Sequence, residues 1–131
     1  MYTNRKLLDM EEKLNVFQKR EQEYFEKNGK KLLTGKVAVA YAITKNKGNI
    51  EAALEPYRKT VSELLKSCNS PEAQKKGVVK IMNEKEEEWR EGTKELLDIE
   101  VEAEIKKVEF AKLEDLDLDS TDLCCLDFMI D

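Results

Sequence analysis

Four aspartates, Asp115, Asp117, Asp119 and Asp122, make a run of potential oxygen ligands. The chemistry they suggest is calcium binding. An EF-hand loop needs oxygen ligands at positions one, three and five, glycine at six and glutamate at twelve. With Asp115 at position one, Ser120 falls at six and Leu126 at twelve. Both decisive places fail, so the run reads as a solvated acidic turn ahead of a helix. A second pattern, Thr34-Gly35-Lys36, places a Gly-Lys pair where a helix opens, as phosphate sites do. A P-loop needs another glycine five residues before that pair and Ser or Thr after the lysine. Those places hold Lys30 and Val37.

Histidine is absent. That removes the usual general base, the commonest metal ligand and every Ser-His or Cys-His arrangement. No paired carboxylates or lysine nucleophile carry a local signature either. The expectation is a non-enzyme with no catalytic residue, metal or cofactor. The three cysteines, Cys68, Cys124 and Cys125, draw neither a disulfide framework nor a C-x-x-C pair. They read as small hydrophobes in a reducing compartment.

Two clusters remain as candidates for binding. Lys30, Lys31, Lys36, Lys45 and Lys47, with Lys27 beside them, surround the first helix junction and could hold an anion. At the other end, Leu123, Leu126, Phe128, Met129 and Ile130 form an apolar terminus after the acidic turn. Left exposed it would be a liability. It is either a last helix docked into the core or, with Asp115, Asp117 and Asp119, a partner-binding element.

The elements that must position these residues follow from periodicity. Leu7, Met10, Leu14, Phe17 and Tyr24 recur at helical spacing, predicting a long helix over 4–29, capped by Thr3 or Asn4 and stopped at Asn28-Gly29. Thr34 reads as the cap of a second helical region. Its stripe runs Val39, Ile43, Ile50, Leu54, Tyr57, Val61, Leu64 and Cys68, with Asn46 in one apolar place. A polar residue on such a coiled-coil-like seam fixes register or partner number. Gly48 and Pro56 interrupt the stretch, so residues 35–68 read as one kinked helix or as two helices meeting near residues 47–49, with Asn49 as second cap. Ser70-Pro71 is a helix start. Residues 77–81 read as a short strand or loop, and Asn83 caps a helix to Leu97. From Ile99 the period becomes two, giving a half-buried strand over 98–105 that could extend to Phe110. It must pair with residues 78–81, the N-terminus or another copy. Ser120 reads as the cap of the terminal helix.

The chain has 131 residues, the size of one domain. Its charged share is 39%, against about 25% in an average domain, which suits long solvated helices. Residues 1–80 hold 17 Lys and Arg against 10 Asp and Glu; residues 81–131 hold 6 against 18. The halves, +7 and −12, could pack on each other, on a neighbouring copy or on a basic partner. No apolar run suits a signal peptide or a membrane span, so a cytoplasmic protein is expected. The net charge of −5 argues against direct nucleic-acid binding.

Several short stretches resemble small uncharacterised proteins encoded by phages and prophages of Gram-positive bacteria. They are Leu33, Gly35, Lys36 and Ala38; Tyr41, Ala42, Ile43, Lys45 and Asn46; Leu54 to Tyr57; Glu95 to Glu102 with Glu104 and Ile105; and Asp122, Leu123 and Leu126 to Ile130. The likeness spans most of residues 7–130 and departs over 69–82. It implies a phage origin and an α-rich fold, and no mechanism.

The expected fold is therefore a single α+β domain over residues 1–131, predominantly α. A long antiparallel helix pair carries a short β element and a short C-terminal helix. The expected function is non-catalytic protein–protein contact, as an assembly accessory or an inhibitor of a host factor, with self-association. The alternatives are an oligomeric binder of a nucleotide signal at the lysine cluster and an acidic nucleic-acid mimic.

Overall fold

A computed structural model describes every residue from Met1 to Asp131. Strand β1 (Tyr2–Thr3) leads into helix α1 (Asn4–Asn28). Thr3 caps that helix by accepting from the Lys6 N–H at 3.1 Å. Gly29 stops it at φ 69°, a left-handed conformation that glycine adopts without a Cβ clash. The face made by Leu7, Met10, Leu14 and Phe17 is buried, as its spacing predicts.

Helix α2 (Val37–Cys68) is one continuous helix of 32 residues, with Pro56 inside it. Of the two expected alternatives the single helix is the one formed, with no break at residues 47–49. Asn49 is not a cap, and Gly48 sits in open space. Thr34 is not the cap of α2 either; that place belongs to Lys36, and the Thr34 hydroxyl bonds back to the Lys31 carbonyl. Helices α1 and α2 form the antiparallel long pair, burying Val39, Ala42, Ile43, Ile50 and Leu54 against α1 and the terminal segment.

Ser70 caps the short helix α3 (Pro71–Lys75) with Pro71 at its first position. Residues 77–81 form a loop rather than a strand. Asn69 pins it, donating to the Val78 carbonyl at 3.1 Å and accepting from the Lys80 N–H at 2.6 Å. Asn83 opens a single 3₁₀ turn instead of capping the next helix, α4 (Glu86–Asp98), which carries three glutamates in its first turn. Helix α4 packs on α2 where Gly92 meets Leu64. A Cβ at position 92 would lie 2.7 Å from the Leu64 Cδ2.

The expected strand over 98–105 contracts to β2 (Glu100–Val101), paired antiparallel with β1 through Tyr2–Val101 and Thr3–Glu100. The extension to Phe110 is replaced by a 3₁₀ turn at Phe110–Lys112. Between them, residues 102–106 keep the alternation, with Ala103 and Ile105 turned inward and Glu102, Glu104 and Lys106 outward, and the face shifts at Lys107-Val108, where Lys107 is exposed and Val108 buried. Their backbone, however, bonds to a helix. Asn49 donates to the Glu104 carbonyl at 3.0 Å. Asn46 donates to the Lys106 carbonyl at 2.9 Å and accepts its N–H at 2.6 Å. Asn46 thus marks an intrachain clip rather than an oligomer seam.

Helix α5 (Ser120–Leu126) is capped by Asp119, one residue earlier than expected. The Asp119 carboxylate accepts from the Asp122 N–H at 2.9 Å, and Asp122 accepts from the Asp119 N–H at 3.1 Å. After a 3₁₀ turn, Ile130 lies parallel to Val108. The fold is α+β and mostly α. None of its helices is long and apolar enough to cross a membrane.

Candidate functional site

The two candidate clusters are neighbours in space, joined by α1. Arg20, in the C-terminal half of α1 and partly buried, reaches the acidic turn. Its Nε lies 2.6 Å from Asp122 and its Nη2 meets Asp119. Tyr24, one turn later, donates to Asp117 at 3.2 Å. Lys36, just before α2, pairs with Asp115 at 3.0 Å. The electrostatics follow. The Lys36 ammonium holds the Asp115 carboxyl below its usual range. Asp119 is held down first by the Asp122 backbone N–H and then by Arg20. The hydrogen bond that Arg20 donates to Asp122 raises Arg20, while partial desolvation followed by Asp117 raises Tyr24. Each of the three proposed partner-binding acids therefore already has a partner within the chain.

The apolar residues beyond them are docked. Leu126 and Met129 are fully buried in the main core, while Leu123, Phe128 and Ile130 are half-buried against it. A partner could touch Leu126 or Met129 only after α5 had left its seat. Of the two expected alternatives the segment takes the docked one, its apolar face completing the core formed by α1 and α2.

The five lysines do not converge. Lys30, Lys31 and Lys45 are exposed, Lys36 is engaged with Asp115, and Lys47 donates to the Gln18 side chain at 2.6 Å. Lys45 and Lys47 stand two apart on a helix and so face different ways. Only Lys31 and Lys36 share a concavity, a cleft of about 730 Å³ between the end of α1 and the start of α2. Glu21 and Phe25 form its α1 wall, and Val37 and Ala40 its α2 wall. Burial, with the Asp122 charge nearby, raises the Glu21 carboxyl above its ordinary value.

The rim of this cleft is the feature that sequence reasoning missed. Phe25 is 47% exposed and Val37 81%; one turn along α2, Tyr41 is 56% exposed. The signal was available, since Val37 and Tyr41 lie off the buried stripe of Val39, Ile43 and Ile50. The Lys106 Nζ sits 5.3 Å from the centre of the Tyr41 ring, a cation–π distance.

The cysteines are free: Cys68 and Cys125 are buried and Cys124 is exposed. Burial pushes the Cys68 and Cys125 thiols up, away from the reactive thiolate. No group of three acidic or cysteine side chains is placed to hold a metal ion. No family model matches this chain, and neither does any curated protein or solved structure.

Proposed function

We propose that this chain is a non-catalytic protein of phage origin acting by protein–protein contact, as an accessory in particle assembly or an inhibitor of a host factor. The phage origin rests on the sequence resemblance. The contact reading rests on one observation: Phe25 and Val37 expose large apolar surface at a cleft that Lys31 and Lys36 also line, and Tyr41 is exposed one turn further along α2. Aromatic anchors beside a cleft, ringed by charge, are how interfaces concentrate their binding energy. The binding face is therefore assigned to the α1–α2 junction, and Lys30, Lys31 and Lys45 favour a partner with an acidic rim. A nucleic-acid mimic is less well supported, because Asp115, Asp117 and Asp119 are tied to groups of the same chain.

A second reading has its own observation. The cleft holds Lys31 beside the start of α2, where Lys36 supplies no side-chain cap for the first helical N–H groups. A small anionic ligand such as a nucleotide would suit that corner.

One experiment separates the readings. The tagged protein and its Phe25→Asp/Val37→Asp/Tyr41→Asp variant are used to capture proteins from infected host cells, read by quantitative mass spectrometry. The expected result is a partner enriched by the native protein and lost from the variant, whose helical content is unchanged. A partner retained equally by both, or no specific partner, removes the proposed face. The ligand reading is then tested by thermal shift with nucleotides, where ligand at a hundred times its dissociation constant adds about 2.7 kcal/mol.

A further inference from the structure

The extended segment 102–107 has two unlike edges. On one edge Glu104 bonds Asn49, and Lys106 bonds Asn46 through both its N–H and its C=O. Val108 continues that edge, donating to the Met129 carbonyl and accepting from the Asp131 N–H, each at 2.8 Å. All three residues are even-numbered. In an extended chain the N–H and C=O of alternate residues point to the same edge. Those of Ala103, Ile105 and Lys107 therefore point the other way. None of them makes a hydrogen bond within the chain. Strand β1 covers this second edge only at its start. There Asn4 donates to the Ile99 carbonyl at 3.0 Å and Tyr2 pairs with Val101.

The open edge is self-complementary in charge. Its solvent face reads Glu102, Glu104, Lys106, acidic first and basic last. The geometry points to a second copy of this chain as its occupant, paired antiparallel about Ile105. In that register Ile105 faces Ile105 and Ala103 faces Lys107, so about six hydrogen bonds use the vacant groups. On the outer face Glu104 stands opposite Lys106, and two-fold symmetry repeats the pair. Neighbouring registers are worse. Centring on Glu104 gives two Glu102–Lys106 pairs but sets Glu104 against itself and Lys107 opposite Val101, which Tyr2 already occupies, and centring on Ala103 sets Glu102 against Glu104 twice. A foreign strand would need its own basic residue opposite Glu104, whereas a second copy brings Lys106 there. An edge of this kind, left unpaired within the chain, is a template for another strand. This inference is independent of the partner reading above, and its test uses the purified chain alone.

The test is a charge-swap cycle followed by sedimentation velocity over a range of concentrations. Both positions are exposed, so the variants keep the fold. Glu104→Lys sets lysine against Lys106, and Lys106→Glu sets glutamate against Glu104. Each single change is expected to weaken the dimer by about tenfold or more, because two cross-strand pairs turn from opposite to like charge. The double variant Glu104→Lys/Lys106→Glu is expected to return to within about threefold of the native constant. Since Lys106 also covers Tyr41, Glu104→Lys provides a swap that leaves that contact alone. A chain that stays monomeric up to about 500 µM, single variants that dimerise as the native chain does, or a double variant as weak as the singles would each overturn the pairing.

Discussion

A carboxamide carries donors and an acceptor in one plane, which matches what a single residue of extended backbone presents. Asn46 uses both: its Nδ2 and Oδ1 serve the carbonyl and N–H of Lys106, and Nδ2 also lies 3.6 Å from the Met129 sulfur. Asn69 does the same for Val78 and Lys80. Asn4 is less complete, donating to the Leu96 carbonyl at 2.8 Å while its Oδ1 has no partner. Removing a buried partner leaves desolvated groups behind, and that costs more than the bond contributes. Asn46→Ala should therefore destabilise the protein by about 2–4 kcal/mol, through two unpaired backbone groups and a small cavity. Urea unfolding measures this directly. Asn49→Ala, at a partly exposed site with one bond, should cost about 1 kcal/mol.

At the scale of elements, what could be read from the sequence depended on whether an element's partners lie nearby. Helix α1 was legible from end to end, since its stripe, its Thr3 cap and its Gly29 stop are all local. The alternation from Ile99 to Lys106 was legible too, but not the partner that would satisfy it. Two asparagines three apart on α2 replace the neighbouring strand that a β reading assumes. Their spacing of one helical turn approximates the two-residue step of an extended chain. In the sequence Asn46 reads as a polar interruption of the apolar seam and Asn49 as a second cap, because the groups they bond lie some 55 to 60 residues away. The candidate site was legible only as residue types: the aspartates and lysines were found, and their pairing with Arg20, Tyr24 and Lys36 was not. Close packing of α4 on α2 gives a test at this scale. Gly92→Ala should gain less than alanine's better helix propensity alone would give, because the Leu64 Cδ2, the movable end of a half-buried side chain, must turn aside for the new Cβ. With Leu64→Ala as background, the same change should stabilise by the full amount, about 0.5–1 kcal/mol. Denaturation of the four proteins of this cycle reads the difference.

For the whole molecule, the basic and acidic halves meet within one chain. Arg20 with Asp119 and Asp122, Lys36 with Asp115, and Arg5 with Asp98 all cross from one half to the other. Their pH dependence has a definite sign. Asp115 and Asp119 are lowered in the folded state, so their contribution is complete above the ordinary Asp value, about 3.9. It is lost as pH falls through the depressed values. Glu21 is raised, so its charged form burdens the fold at neutral pH, and that burden lifts as pH falls through the raised value. Asp119→Asn should thus be less stable than the native chain at pH 7, with the gap closing below about pH 4. Glu21→Gln should be more stable at pH 7, with its gain vanishing on acidification. Urea midpoints taken from pH 7 to 3 distinguish the two trends.

The seat of α5 on α1 has a consequence for how the molecule comes into being. Arg20 and Asp122 are 102 residues apart, and the apolar face of α1 is completed by Leu126 and Met129. A ribosome adding about 5–20 residues per second needs on the order of ten seconds to make that interval. During it, α1 has emerged with its apolar face incompletely covered. The nascent chain must therefore either be shielded by a chaperone or rely on the charges flanking that face until the final turn arrives.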